Sequence, residues 1–399
     1  MHCDYHSSDE EVYASLKQAT ASLDRSWEKL RKAKTIAVKF NQDWPLGQEI
    51  MYEGHRQQLV DFSVVRAVLR LLRENSKATI LVADASAYPR VPQRTWVDTT
   101  PVLPILQEFG VEYVDASAAP VGWYAVPGGG QMFRKYLLGQ RVVEAGAVVS
   151  VQKMKNHAFM GVTLCLKNLF GLTTIAPLGR PRQYFHHLVR MPYMLADLGR
   201  IYNPALNIID GMICQAGEEW GKGEHPRLPN TLVAGDHVIA TDACAAHLMG
   251  HDPASDWLTP PFHRDRNALL VAAEAGFGAV KLDEIDFQSE VTAPVAAFHA
   301  NITDSMDMVK NWRRTSAEQG LYYRDHAKRL VDAYAGEYIL LQRNRVRWHG
   351  KEGHLNVSRR QLAGKHPEEA MWLKYIDPDE TEGEHFEVYE QALQGMKAE

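Results

Sequence analysis

Cysteine is scarce. The 399 residues hold four, Cys3, Cys165, Cys214 and Cys244, and no two lie close enough for a CxxC pair. That spacing argues against a ferredoxin-like site or a structural zinc finger, so no iron–sulfur cluster is expected. Cys165, Cys214 and Cys244 sit in apolar or small-residue contexts and read as reduced core residues, which makes the cytoplasm the expected compartment. Positive charge is not in excess either. The net charge is −5 with both signs mixed along the chain, which argues against a nucleic-acid partner held by phosphate contacts. No apolar run approaches the roughly 20 residues that span a bilayer. The start, MHCDYHSSDEE, lacks the basic flank and apolar stretch of an export signal, so no membrane partner is expected. HExxH, EF-hand, GxxxxGK[ST] and GxSxG patterns are absent, as are repeats and low-complexity tracts.

What stands out is a charge where charge is not expected. Lys167 lies in Gly161–Leu172 (GVTLCLKNLFGL), an otherwise almost wholly apolar stretch, with Asn168 beside it. An ammonium group in an apolar helix must find an anion, reach water, or give up its proton. A deprotonated lysine is a base, a nucleophile or a covalent anchor for a cofactor. Thr163 and Lys167, four apart, would share a helical face. His157 lies ten residues upstream and the pair His186–His187 about a helix's length downstream. Imidazoles so placed can relay protons or bind a metal, or else be capping or surface residues.

The length implies two or three domains. Residues 1–34 read as an N-terminal helix, with a Val12, Leu16, Ala19, Leu23, Trp27, Leu30 stripe and a Ser8/Glu11 capping box. From 35 to 145, strands at Thr35–Lys39, Ala78–Ala83 and Val111–Val114 alternate with helices, one of them capped by Asp61. Residues 146–290 repeat the alternation and carry the Lys/His segment. Residues 291–399 form a C-terminal extension, with a hairpin over Glu337–Trp348 turning near Arg343–Asn344. The expected fold class is α/β: two lobes with mostly parallel sheets flanked by helices, plus that extension.

Ligands of open parallel sheets bind at the carboxyl ends of strands. The predicted ends carry Lys39, Asn41 and Asp43; Asp84 and Ser86; Lys153, Lys155 and His157; Asp210; and Asp236. Ordinary loop polarity accounts for about half of these, and less well for the density of Lys153–His157. With Arg180, Arg182 and Arg227, these lysines would suit a small anionic ligand. The Gly128–Gly130 run is a plain turn sooner than a phosphate cradle. Gly217–Gly223, leading to His225, is a lid, an anion cradle or a surface turn.

At KMKNHAFMGVTLCLKNLFGL the chain resembles the family called domain of unknown function 362. The resemblance runs on through His186–His187, ADLGRIYNPALNIIDGM and VAGDHVIATDACAAHLMG, and covers about residues 35–252. A more distant likeness is to the nickel-pincer lactate racemases. It implies a lysine that carries the cofactor, a histidine on nickel and two acid/base histidines, an order similar to His157, Lys167 and His186 or His187. The surrounding glycine-rich lysine motif of those enzymes is absent.

The reading is therefore an enzyme of isomerase or lyase type acting on a small anionic substrate. Lys167, His157, His186 and His187 are its candidate catalytic residues. Lys153, Lys155, Asn168, Arg182 and Arg227 would bind substrate, and His186, His187 and Asp210 would hold a divalent metal. The alternative is a non-catalytic protein that carries a cofactor or metal for a partner. A homo-oligomer fits either reading.

Overall fold

Short β-branched runs set the centre of the molecule. In the computed structural model, which describes residues 1–42, 49–85, 100–217, 226–301, 304–351 and 371–396, seven of them form one sheet. They are β1 (Thr35–Phe40), β2 (Thr79–Asp84), β3 (Glu112–Asp115), β4 (Ala147–His157), β5 (Gly161–Thr163), β6 (Leu206–Gln215) and β7 (Thr231–Gly235). The strand order is β7-β6-β4-β1-β2-β3, with β5 paired to β4. β1 to β4 and β6 pair in parallel, while β7 and β5 run antiparallel to β6 and β4. β4 and β6 are buried along their whole length, so their polar residues, Lys153, Lys155 and Asp210 among them, are buried together with the apolar ones.

The expected α/β class and mostly parallel sheet are present. The strands assigned to two lobes nevertheless share this one sheet, because Ile36 pairs with Ala147 and Val38 with Val149. Each side of that β1–β4 junction contributes three strands to the main path. One sheet face packs on Val12, Leu16, Trp27, Leu30, Val64 and Leu72, and the other on Leu166, Leu169, Leu195 and Ile239.

Two predicted helices differ in the structure. The N-terminal one is broken into Asp9–Thr20, with the Ser8/Glu11 capping box in place, and Asp24–Lys32. The indole Nε1 of Trp27 donates to Thr20 O across the break, at 2.7 Å. The apolar run around Lys167 is not one helix. Gly161–Thr163 is β5, Cys165–Asn168 a single helical turn, and Leu169–Leu172 a 3-10 turn. Thr163 thus lies in a strand, and the helical face it was to share with Lys167 does not exist.

The C-terminal hairpin is as read: Tyr338–Gln342 and Arg345–Gly350 pair antiparallel, and Arg343 and Asn344 adopt φ of 52° and 57°, the left-handed pair a tight two-residue turn requires. Trp372–Tyr375 adds to its other edge. This small sheet closes the core against the helix Arg190–Tyr202. Arg190, fully buried, donates to Leu373 O at 2.6 Å and pairs with Glu384 at 2.9 Å. The amides that meet an anion here belong to the three residues after the Gly128–Gly130 run, and the anion is internal. The backbone N–H groups of Gln131, Met132 and Phe133 all donate to the buried carboxylate of Asp197, as does the Tyr136 hydroxyl.

Candidate functional site

Side chains alternate between sheet faces, and that alternation divides the polar strand ends into two groups. Lys153 and Lys155 follow Val149 and Val151 onto the face that packs on Val64 and Leu72. There Lys153 Nζ lies 2.6 Å from Asp210 Oδ2, both side chains at 0% exposure. Asp210 also accepts from the N–H of Asp61 (2.8 Å) and of Met212 (3.1 Å). Lys155, equally buried, donates to Gln58 O at 2.9 Å. Burial pushes the Asp61 carboxyl up, but the Lys153 charge and the Arg56 and Ser63 amides outweigh it and hold it below its ordinary value.

Lys39 projects from the opposite face, in register with Ser150. Its ammonium group pairs with Asp84 at 2.9 Å. Over this pair sits the Lys167 segment. The Asn168 amide nitrogen donates to Lys39 O (2.9 Å), Ser150 Oγ (3.0 Å) and Val151 O (3.1 Å), so one side chain ties the lysine turn to both β1 and β4. From the other end, the two carboxylate oxygens of Asp242 accept the N–H groups of Cys165 (2.8 Å) and Leu166 (2.7 Å). Burial pushes the Asp242 carboxyl up to about 8, against the pull of those two amides. Gly171 leaves no room for a side chain. An added Cβ would lie 2.5 Å from Lys39 Cε and 2.7 Å from Asp84 Oδ1. Gly171→Ala should therefore destabilise the fold by about 1–3 kcal/mol, as overpacking does, measured by urea denaturation.

So fixed, the turn carries Lys167 to a cluster of rings and cations. Its Nζ lies 4.9 Å from the centre of the Phe170 ring, and the Arg182 guanidinium carbon lies 4.7 Å from the same ring. The His186 ring is 5.9 Å from Phe170, 4.9 Å from Phe159 and 5.8 Å from His157. Cations favour ring faces, and Phe170 gathers two of them. His157 ends β4, and its Nδ1 accepts from the N–H of Phe159 and of Met160, both at 3.0 Å.

The remaining candidates lie elsewhere. His187 turns away from His186, with Nδ1 3.0 Å from Leu188 O and Nε2 2.7 Å from Met371 O in the C-terminal layer. Lys153, Lys155 and Asp210 are on the other sheet face. Arg227 donates to Ala297 O at 2.7 Å, and Asp236 pairs with Arg25. His186, His187 and Asp210 therefore do not converge, and no group of three metal-ligating side chains occurs among the described residues. The metal set read from the sequence does not fit this geometry. Asp43, Ser86, His225 and most of Gly217–Gly223 fall outside the described residues. Burial raises the thiols of Cys165, Cys214 and Cys244, as expected of inert core cysteines.

The sequence pattern of the family described as "Domain of unknown function (DUF362)" matches residues 36–247. The chain belongs to the DUF362 family. The matched span runs from β1 to the end of the helix Val238–Leu248, and so takes in the whole main sheet, the Lys167 turn and Asp242. Among curated proteins, this DUF362 chain is 27% identical over 197 residues to the thylakoid-associated protein sll1697 of Synechocystis sp., a match covering 48% of this chain and 57% of that protein. The chain thus spans just over half the length of the curated relative it matches. Among solved structures, the lactate racemase apoprotein from Thermoanaerobacterium thermosaccharolyticum is 14% identical, with 60% of this chain and 55% of that one covered at a TM-score of 0.40, too slight a likeness to carry an argument. No helix among the described residues is long and apolar enough to cross a membrane.

Two residues of the candidate site in this DUF362 chain escaped the sequence reading although the sequence signals them. Asp242 is a lone acid in the apolar run VIATDACAA, which is the argument that singled out Lys167. Phe170 stands three residues after Lys167, the spacing of neighbours along a helical face. His247 and His251 have the HxxxH spacing of a metal-binding pair on a helix. The helix ends at Leu248, and His251 Nε2 lies instead 3.0 Å from the side-chain amide of Asn156.

Proposed function

We propose that the chain is an enzyme that holds a small anionic substrate beside Phe170 and moves protons on it with His157 and His186. The observation that carries this reading is the gathering of Lys167, Arg182 and His186 around a single phenylalanine ring, with His157 next to His186. Lys167 and Arg182 supply positive charge for a carboxylate or phosphate. The imidazoles supply proton transfer in the neutral range, and the aromatic side chains displace water around the reacting atoms.

Titration of the full chain with inorganic phosphate and with oxalate, followed by calorimetry, tests the reading. A charge-assisted hydrogen bond contributes about 1.5–3 kcal/mol, so Lys167→Met and Arg182→Met should each weaken binding by about 10- to 100-fold. Binding of neither anion, or equal affinity in wild type and both variants, would sink the proposal.

A further inference from the structure

His157 and His186 look interchangeable in the sequence, but the structure gives them different chemistry. The Nδ1 atom of His157 accepts two backbone N–H groups, from Phe159 and Met160, each at 3.0 Å. A ring nitrogen that accepts a hydrogen bond carries no proton, so the proton of this imidazole sits on Nε2. Moving it to Nδ1 would set a third N–H against two others and break both bonds. The turn that supplies the two donors is itself fixed. His157 pairs with Gly161 across the β4–β5 hairpin, and Gly161 has φ of 77°. A Cβ there would lie 2.8 Å from both Phe262 and the Pro261 carbonyl, so the turn is packed from outside. His186 follows the short helix Arg182–Phe185 and stands against the rings of Phe159 and Phe170, its ring centre 5.8 Å from that of His157.

We infer that the site pairs one fixed donor with one proton acceptor, and that its substrate is a 2-oxo carboxylate. This rests on the anion site proposed above. Arg182 and Lys167 hold the carboxylate. The Nε2–H of His157 donates to the ketone oxygen. Neutral His186 takes a proton from the carbon on the far side of the ketone. The C–H bond breaks, its electron pair forms the C=C bond of the enolate, and the carbonyl π pair moves onto the oxygen facing His157. Return of the proton, or of a deuteron taken up by His186 from solvent, to that carbon completes the exchange. No electrons are gained or lost, and no co-reactant enters. A two-base mechanism, with each histidine removing a proton in one direction, is incompatible with the fixed His157 tautomer.

Two measurements on the full chain test this. Long-range proton–nitrogen correlation spectra of protein labelled with 15N-histidine read each tautomer directly, and His157→Gln identifies the His157 signals by their loss. The expected pattern at neutral pH is Nε2–H with unprotonated Nδ1, and an Nδ1–H or doubly protonated His157 would overturn the assignment. In D2O, exchange of the pyruvate methyl protons should exceed the buffer rate. His186→Ala should lower it by about 10²–10⁴-fold, the usual contribution of a general base. His157→Gln keeps an N–H donor in the place of Nε2–H and should retain more exchange than His157→Ala, while equal loss in both overturns the donor role. If phosphate and oxalate bind but pyruvate neither binds nor exchanges, the substrate class is wrong and the anion site stands. If no anion binds, the reading underneath fails as well.

Discussion

Asp210→Ala should destabilise the chain by about 3–5 kcal/mol, the usual cost of leaving one partner of a buried ion pair without the other. The carboxylate accepts from Lys153 and from two backbone amides, with no exposure to water. Removing it strands an ammonium group inside a sheet face and orphans the Asp61 N–H at the start of the helix Phe62–Asn75. The double variant Lys153→Met/Asp210→Leu should recover most of the loss, since apolar replacement of a whole buried pair is often neutral or stabilising. It should also bind phosphate as the wild type does, because the pair lies on the sheet face opposite Lys167. Urea denaturation of the three proteins reads the first effect and calorimetry the second. Loss of anion binding in a stably folded double variant would place Lys153 and Asp210 in the site after all.

From about pH 6.5 to about pH 8, stability should fall by about 2 kcal/mol on account of Asp242, at about 1.4 kcal/mol per pH unit. In the unfolded chain this carboxyl ionises near 3.8, and in the folded chain burial holds its proton to about 8. Between those values the folded state binds more protons than the unfolded one, so each rise in pH favours unfolding, and the cost stops growing above 8. Asp197, raised by burial to about 6, acts in the same direction over a lower range that ends near its folded value. Burial of His251 lowers its value to about 4, so its contribution has the opposite sign, present above 6.5 and lost as the pH falls toward 4. Glu384, held to about 2 by Arg190 and Lys374 against the cost of burial, loses its contribution between 4.5 and 2. These three changes lie at or below pH 6.5; above it the Met1 ammonium group, lowered by burial from its ordinary value of 8.0, opposes Asp242, and the comparison with a variant separates the two. Asp242→Asn should flatten the wild-type slope in that window. An unchanged slope in the variant would show that Asp242 is ionised in the folded chain at neutral pH.

The parts of this fold visible in the sequence were those written in local chemistry. Asp61 is read as a cap because a carboxylate before an apolar helix has one obvious use, and it accepts from the Ser63 N–H. The hairpin at Arg343–Asn344 is read from its flanking strands, and Lys167 from a charge in an apolar run. What stayed hidden depends on partners distant in the chain. Nothing local distinguishes His186 from His187, and Met371, 184 residues on, is what draws His187 away. The division of Lys39 from Lys153 follows from the parallel pairing of β1 with β4, which fixes which face each residue meets. The break of Gly161–Leu172 into strand and turns was hidden because an apolar run this short has no period that separates helix from strand.

The bond from Asn168 to Lys39 closes a span of 129 residues, and the clamp from Asp242 to Cys165 reaches 77 residues forward. The lysine turn is one of the shortest elements in the chain, and an isolated helical turn has no stability of its own. It takes shape only when these distant ends have met, and closing such long loops is slow. During synthesis the candidate site therefore cannot exist until residue 242 has left the ribosome, long after Lys167 itself. Any intermediate that folds earlier holds the ingredients of the site without its geometry.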